Sequence, residues 1–399
     1  MDWALTIKTT DGELHNYSRE MLRKFYRENL DPAFDLLFDT VDEGNNYIND
    51  YKTHVLDDNP GAEVIAERSS FAPQPQSSMV IIDQHTGYVK AIVGGRGEKT
   101  ASLTLNRATS TTRQPGSTFK ILSTYAPALD SGHITLGSIY NDEKTNYSNG
   151  RPVNNAESGN YRGPTSIRDA IIYSINTIAV QVITEITPRA GFDQLLKFGF
   201  TTLSERNDIY QPLALGGIYN GVTNLELTAA YAAIANEGTY TRPIFYTRIE
   251  DQDGNVVIDN TQETNQAISK TTAVLLTNAL QDVVTKGTGQ DVQLDCGMPV
   301  AGKTGTTTAY NDVWFVGFTP YYTCGVWAGY DSEETLPEEG NYRSYHKILW
   351  KKVMDRLSAT KADAVFRMPD GVVVTEDICE ETGLIARGGC PSRTEYVSV

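Results

Sequence analysis

A serine and a lysine three positions apart, Ser117 and Lys120, are the first residues of this sequence that suggest catalysis. Pro115 and Gly116 precede them and predict a sharp turn into a helix, which places Ser117 at the helix N-terminus and Lys120 one turn later on the same face. A serine hydroxyl becomes a nucleophile when a base takes its proton, and lysine is such a base only when burial or a nearby cation lowers its pKa. Alone, the pair more often marks an N-capping serine followed by an exposed lysine.

The second element is Ser174-Ile175-Asn176, which interrupts an apolar helical pattern. Polar side chains at such positions cost free energy unless they form hydrogen bonds, so Ser174 and Asn176 are candidates for contacts with other polar groups. Unaccompanied, this element more often marks a junction between two helices with a capping serine.

The third element, Lys303-Thr304-Gly305-Thr306, lies on a predicted strand. A glycine in a strand lets another group approach the backbone closely, the lysine supplies positive charge, and the threonine hydroxyls are able to hold a carboxylate. On its own, the run is typical of an edge strand kept polar to prevent aggregation. The nearby Gly287-Thr288-Gly289 lacks the spacing of a phosphate loop, so ATP binding is not expected.

Serine-x-x-lysine, serine-x-asparagine and lysine-threonine-glycine, in this order and in these local settings, form the signature of penicillin-binding proteins and class A β-lactamases. Beyond the three motifs, the chain resembles the class A, bifunctional penicillin-binding proteins from about residue 79 to residue 358. The further stretches that carry the resemblance are Gly94–Arg96, Asn106–Thr109, Arg113–Ser117, Leu213–Gly217, Ala229–Gly238 and Asp312–Phe318.

The resemblance implies a D,D-transpeptidase that cross-links cell-wall stem peptides ending in D-alanyl-D-alanine. Ser117 is then the nucleophile, Lys120 its base, and Ser174 a proton relay to the departing D-alanine. Backbone N–H groups of Ser117 and Thr306 are expected to hold the oxyanion. β-Lactams are expected to acylate Ser117, and the mechanism requires no metal or organic cofactor. The residues expected to bind the substrate are Asn176, Lys303, Thr304, Gly305 and Thr306.

Helices and strands around these motifs are expected to position them. Apolar runs at Met79–Asp83 and Tyr88–Gly94 predict a hairpin, and three strand-like runs between residues 299 and 330 predict an antiparallel meander. Strands at both ends and helices between them indicate an α+β layer arrangement. The resemblance implies an antiparallel sheet of about five strands covered by helices on both faces, with a mostly helical lobe. Helical patterns are predicted at Ser117–Leu129, Ser166–Ile186, Asn224–Asn236, Lys270–Lys286 and Ser344–Leu357.

The 399 residues include 34 basic and 50 acidic side chains, for a formal net charge of −16. Such an acidic surface repels phosphate backbones and anionic lipid, so neither nucleic acid nor a membrane surface is an expected docking partner. Of the four cysteines, Cys379 and Cys390 flank a turn-like stretch, which leaves a disulfide between them an open alternative. The five histidines are scattered along the chain and favour no metal site.

The polar stretch Ser69–Ser78 predicts a linker, after weak helical patterning from Arg19 to Phe38. We expect an N-terminal appendage at residues 1–76, the transpeptidase domain at residues 77–360, and a C-terminal tail packed on that domain at residues 361–399. Class A proteins carry a membrane anchor and a glycosyltransferase domain, and neither pattern is visible. The resemblance therefore implies an excised part of a longer protein at the outer face of the bacterial cytoplasmic membrane, with other cell-wall synthesis proteins as partners.

Two alternatives stay open. A D,D-carboxypeptidase or serine β-lactamase uses the same scaffold with water as the acceptor, although no base positioned for deacylation is identifiable. A β-lactam sensor or a catalytically idle scaffold is the other alternative. The intact motif set argues against the idle form, and the class A stretches argue against a sensor.

Overall fold

The computed structural model describes residues 1–99, 102–156, 159–332, 334–369 and 371–398. The chain divides between Gln74 and Pro75 into two compact units. This division lies inside the stretch Ser69–Ser78, where one strand ends at Ser70 and the next begins at Gln76.

The first unit has a small hydrophobic core of its own. Alternate residues of its first strand, Trp3, Leu5 and Ile7, are buried against two helices, as the two-residue period of a strand requires. The three strands pair antiparallel in the order β2-β1-β3. The elements are β1 (Asp2–Lys8), β2 (Leu14–Ser18), α1 (Arg19–Asn29), α2 (Val41–Asp58) and β3 (Glu63–Ser70).

The helices of this unit differ from the pattern predicted between Arg19 and Phe38. Helix α1 ends at Asn29, because Pro32 follows and disfavours helical backbone in the residue before it. The sequence pattern missed α2, whose first turns contain Gly44 and two asparagines, residues of low helix propensity. Its N-terminus is fixed by the Thr40 side chain, which accepts a hydrogen bond from a backbone N–H of the first turn.

Within its described residues, the second unit contains fifteen strands, eight α-helices and several shorter helical turns. Its strands are β4 (Gln76–Asp83), β5 (Tyr88–Val93), β6 (Ile139–Asp142), β7 (Thr145–Asn146), β8 (Pro152–Val153), β9 (Gly163–Ser166), β10 (Thr239–Thr241), β11 (Arg248–Glu250), β12 (Val256–Asp259), β13 (Thr264–Gln266), β14 (Ala301–Thr306), β15 (Asp312–Phe318), β16 (Thr323–Gly329), β17 (Val373–Cys379) and β18 (Ser392–Ser398). Its helices are α3 (Ala126–Asp130), α4 (Ile167–Ile172), α5 (Asn176–Ile186), α6 (Pro188–Lys197), α7 (Glu205–Asp208), α8 (Asn224–Ala235), α9 (Lys270–Thr285) and α10 (Tyr345–Ser358). The 3₁₀ turns are Gly116–Thr118, Gln211–Leu215 and Gln290–Val292, and a π-helix spans Lys120–Tyr125.

A five-stranded antiparallel sheet forms the centre of this unit, in the order β14-β15-β16-β4-β5. The predicted hairpin corresponds to β4 and β5, and the predicted meander to β14, β15 and β16. The two strand groups join where β16 pairs with β4. The prediction of one antiparallel sheet of about five strands is confirmed.

Helices cover both faces of the sheet. Trp314 of β15 points into the core shared with α8 and α9, whereas the next residue, Phe315, packs edge-on against Trp350 of α10 with ring centres 5.0 Å apart. On the first face, buried Asn224 at the start of α8 donates from Nδ2 to Gly325 O at 3.2 Å. The predicted α+β class is therefore confirmed.

The C-terminal part of the chain forms the antiparallel hairpin β17–β18. Cys379 and Cys390 are joined in a disulfide, with their Cα atoms 5.7 Å apart, while Cys296 and Cys324 are free. In the part of the chain that the structure describes, no helix has both the length and the apolarity to cross a membrane.

Candidate active site

Ser117 lies on the first 3₁₀ turn and is partly exposed, whereas Lys120 is fully buried at the start of the π-helix. Thr118 Oγ1 donates to Pro115 O at 2.8 Å, and Tyr231 OH donates to Thr118 O at 2.8 Å, so the turn is held from both sides. The helical segment predicted from Ser117 is present, but it starts as 3₁₀ and π-helix before it becomes α3. A π segment of this kind occurs frequently at functional sites.

Three glycines allow close backbone contacts around the Ser117 turn. A Cβ atom on Gly116 would lie 2.8 Å from Thr306 O, and a Cβ atom on Gly305 would lie 2.5 Å from Pro115 O. A Cβ atom on Gly216 would lie 2.5 Å from Gly116 O. Only residues without a side chain permit backbones this close, so Gly116 and Gly305 fix the distance between the first and third motifs, and Gly216 packs a further turn against Gly116.

The backbone N–H of Thr306 points towards the Ser117 turn. Strand β14 lies at the edge of the sheet, and just beyond its end Thr307 N donates to Asp312 O at 3.1 Å. Antiparallel pairs alternate between bonded and non-bonded positions, so the N–H of the preceding Thr306 points away from β15. A Cβ atom on Gly116 would lie 2.9 Å from this nitrogen. The free edge of β14 therefore presents a donor beside Ser117.

Ser174 lies in a tight turn between two helices. The helical pattern predicted over Ser166–Ile186 forms two helices, because α4 ends at Ile172 and α5 begins at Asn176, with the serine-x-asparagine element at their junction. Ile175 N donates to Ala170 O at 3.0 Å and Ser174 N donates to Ile171 O at 3.3 Å, the bond pattern of a Schellman motif. Ser174 takes the left-handed position of this motif with φ of 57°, where glycine is normally favoured.

The two motif lysines converge on Ser174. Lys120 Nζ donates to Ser174 O and, at 3.1 Å, to Ser174 Oγ. Lys303 Nζ donates to the same Oγ at 2.8 Å and to Thr304 O at 3.2 Å. The structure thus joins one residue from each of the three motifs around a single hydroxyl.

Burial governs the charge of both amines. Burial lowers the pKa of Lys120 well below its ordinary value, and the positive charge of Lys303 lowers that pKa further. Burial alone lowers the pKa of Lys303 to about 7. No carboxylate among the described residues forms an ion pair with either amine. The arrangement therefore favours a neutral Lys120 and leaves positive charge in the site without an anion to balance it.

The Asn176 side chain is less directly connected to the lysines. Its Nδ2 donates to Asn154 O at 2.6 Å, and its backbone N–H donates to Asn155 Oδ1 at 2.9 Å. Asn155 in turn donates to Asp142, a buried carboxylate that also accepts from Thr177 Oγ1 at 2.5 Å. Sequence analysis did not identify this support, because residues 142 and 155 carry no motif and reach the site only through the fold.

The threonines of the third motif lie along the accessible side of β14. Thr306 is exposed and Thr304 is partly buried, and Thr304 Oγ1 lies 2.7 Å from Thr288 Oγ1. Sequence analysis weighed Thr288 only as part of a phosphate loop and gave it no role. Between described residues, no hydrogen bond joins the Ser117 hydroxyl to Lys120, and no group of three or more histidine, cysteine or acidic side chains is placed to hold a metal.

A family profile described as the penicillin binding protein transpeptidase domain matches residues 77–354. The chain belongs to the penicillin-binding protein transpeptidase family. Penicillin-binding protein 1A of Clostridium tetani is 31% identical over 372 residues, which cover 89% of this chain and 46% of the relative. Penicillin-binding protein 1F of Bacillus subtilis is 36% identical over 311 residues, which cover 76% of this chain and 42% of the relative. The chain thus spans less than half the length of these curated relatives.

Solved structures show the same fold. Penicillin-binding protein 1A from Haemophilus influenzae superimposes with a TM-score of 0.70 at 23% identity, covering 82% of this chain and 54% of that one. The PonA1 protein from Mycobacterium tuberculosis, solved in complex with penicillin V, gives a TM-score of 0.65 at 26% identity and covers 75% of this chain and 82% of that one. The resemblance to the transpeptidase domain of class A penicillin-binding proteins is therefore confirmed.

Proposed function

We propose that residues 77–360 form a peptidoglycan D,D-transpeptidase that works through an acyl-enzyme on Ser117, and that β-lactams inhibit it by acylating the same hydroxyl. The observation that supports this proposal most directly is the convergence of Lys120 and Lys303 on Ser174 Oγ. Two buried amines without a carboxylate partner destabilise a folded protein, so their presence indicates that they serve a function. In this proposal Lys120 is the catalytic base and Lys303 is the group that binds the substrate carboxylate.

In the acylation step, neutral Lys120 takes the hydroxyl proton of Ser117, whose oxygen bonds to the carbonyl carbon between the two D-alanines. The two N–H groups of the neutral amine are used by Ser174 O and Oγ, so its lone pair remains for the proton. The oxyanion accepts hydrogen bonds from the backbone N–H groups of Ser117 and Thr306. Each such donor contributes roughly 3 to 4 kcal/mol to lowering the barrier.

The departing D-alanine receives its proton from Ser174. Hydrogen bonds from Lys120 and Lys303 occupy both lone pairs of Ser174 Oγ, which leaves its single O–H as a donor. As the C–N bond breaks, Ser174 gives this proton to the amine nitrogen and takes one from protonated Lys120. Lys120 is thereby neutral again when D-alanine leaves.

The terminal carboxylate of the donor peptide binds Lys303, Thr304 and Thr306, while Asn176 holds the peptide backbone. A charged Lys303 has three N–H groups, and two of them are used by Ser174 Oγ and Thr304 O. The third remains for the carboxylate, whose charge favours the protonated lysine. Gly305 contributes by keeping the strand backbone close to the nucleophile.

An amine of a second stem peptide completes the reaction. Its nitrogen bonds to the ester carbonyl carbon, the bond to Ser117 Oγ breaks, and the amine proton returns to Ser117 through Lys120. The cycle requires no metal or organic cofactor. We place it at the outer face of the bacterial cytoplasmic membrane, where stem peptides are cross-linked beside other cell-wall synthesis proteins, and the disulfide between Cys379 and Cys390 supports an oxidising setting.

The test is a fluorescent penicillin followed by intact mass, on the wild-type chain and on Ser117→Ala. We expect one long-lived adduct per wild-type chain and none on the variant. Absence of the wild-type adduct would refute the acyl-enzyme. Rapid loss of the adduct, with turnover of nitrocefin, would instead identify a β-lactamase. A stable adduct with no release of D-alanine from stem-peptide mimics would identify a sensor.

A further inference from the structure

A buried arginine lies on α4, the short helix that ends at the Ser174 turn. Arg168 is on α4, with its side chain 10% exposed, and its guanidinium makes a two-pronged contact with Glu395, from Nε to Oε2 at 2.8 Å and from Nη2 to Oε1 at 2.6 Å. Its remaining donors reach Asp282 Oδ2 and Asn278 Oδ1 of α9, each at 2.7 Å. Bidentate arginine–carboxylate contacts fix orientation as well as distance.

The acidic partner comes from outside the family domain. Glu395 is on β18, beyond residue 354 where the family match ends, and its side chain is only 1% exposed. A carboxylate this deeply buried must be paired, and Arg168 and the backbone N–H of Tyr396 supply its hydrogen bonds. The C-terminal hairpin therefore contributes a buried side chain to the interior of the transpeptidase unit.

Two other contacts hold this hairpin against α4 and against the segment that leads into it. Arg393 Nη1 donates to Asp169 Oδ2 at 2.9 Å, next to Arg168. Gly383, in the turn closed by the Cys379–Cys390 disulfide, lies so close that an added Cβ atom would be 2.6 Å from Gly137 O. The strand that follows Gly137 pairs with β9, which runs directly into α4.

We propose that the C-terminal hairpin positions the Ser174 turn, with Arg168 and Glu395 as positioning residues. Helix α4 has six residues, and Ser174 lies two positions beyond its last residue, so a shift of this short helix moves the hydroxyl that both lysines contact. The proposal rests on the role proposed for Ser174. Neither positioning residue contacts the substrate, and both act through the placement of α4.

The experiment compares Glu395→Gln with Asp377→Asn. Both change a carboxylate to an amide on the same hairpin, but Asp377 is exposed, and its carboxylate accepts a hydrogen bond from Thr394 Oγ1 of the same hairpin at 2.9 Å. We expect Glu395→Gln to lower the second-order rate constant for acylation by benzylpenicillin roughly tenfold, since displacements near 1 Å can cost more than that. The pH dependence of this rate constant should also shift in Glu395→Gln, because Ser174 Oγ contacts both amines. Asp377→Asn should stay within about twofold of wild type.

Hydrogen exchange of the peptide around residues 170–177 gives a readout that needs no activity. We expect faster exchange in Glu395→Gln than in Asp377→Asn, and this arm remains informative even if wild type forms no acyl-enzyme. If Glu395→Gln does not fold, the double variant Cys379→Ser/Cys390→Ser loosens the same hairpin and should change rate and exchange in the same direction. A lower melting temperature with unchanged rate, unchanged pH profile and unchanged exchange would overturn the proposal, because the hairpin would then act on stability alone.

Discussion

Replacing Ser174 by glycine and by alanine separates the energetic cost of its backbone from the function of its hydroxyl. Both variants lose the Oγ atom that accepts from Lys120 and Lys303, so both leave the amines equally short of a partner. They differ in how they tolerate the left-handed backbone, where Ser174 has φ of 57°. We expect Ser174→Gly to be more stable than Ser174→Ala, while both are severely impaired in acylation.

The magnitude follows from the backbone alone. A non-glycine residue in the left-handed region costs roughly 1 to 2 kcal/mol, which glycine avoids. Glycine also lowers stability by about 0.5 to 1 kcal/mol, because the unfolded chain has more conformational entropy to lose on folding. The expected difference is therefore about 1 kcal/mol in the free energy of unfolding, or about 2 °C in melting temperature for a domain of this size.

Calorimetry of the two variants and the wild type measures the stability difference, and benzylpenicillin acylation measures function. We expect a loss of about 10²-fold or more in both variants, the range for removing a general acid–base group. If Ser174→Ala were as stable as Ser174→Gly, the turn would carry no backbone strain. If either variant acylated at the wild-type rate, the hydroxyl would not be a proton relay.

Two further predictions concern the lysines and the glycine contacts. Burial lowers the pKa of Lys303 to about 7, so the lysine loses its charge as pH rises through that value. The second-order rate constant for acylation should therefore fall at alkaline pH. In Lys303→Met this alkaline fall should be absent. On the acid side, protonation of Lys120 should lower the same rate constant, since the proposed mechanism uses its base form. In Gly305→Ala the new Cβ atom would lie 2.5 Å from Pro115 O, which should destabilise the domain by about 1 to 3 kcal/mol and slow acylation. Gly388→Ala, with open space around it, is the matched control and should change neither melting temperature nor rate.

The sheet and the motif positions could be predicted from the sequence because their signals are local. Short continuous apolar runs such as Met79–Asp83 indicate a buried strand, and the motif residues Ser117 and Lys303 stand out by type and spacing. The apolar helical pattern runs across Ser166–Ile186, and only the polar interruption at Ser174 and Asn176 indicated the junction between two helices that the structure contains. Serine in a left-handed turn breaks the local rule that favours glycine there, which is common where function outweighs stability.

The supporting contacts could not be predicted, because they join residues far apart in the chain. Glu395 meets Arg168 across 227 positions, and neither belongs to a pattern that indicates a partner. Asp142 likewise reaches Thr177 only because a strand and a helix pack together. Such pairs depend on tertiary geometry, whereas the motifs depend on what each residue type is able to do.

Among the described residues, the two buried lysines lack an anionic partner, and the carboxylate of a bound substrate would supply one. Lys120 and Lys303 share one hydroxyl acceptor, and no acidic side chain in the described ranges pairs with them. With the site empty, burial lowers the pKa of both amines, and the positive charge of Lys303 lowers the pKa of Lys120 further. A carboxylate entering beside Lys303 stabilises the charge on that lysine, and this charge in turn holds Lys120 in the base form. In the mechanism that we propose, the carboxylate that binds Lys303 therefore also favours the base form of Lys120, so substrates without a terminal carboxylate should bind weakly and acylate slowly.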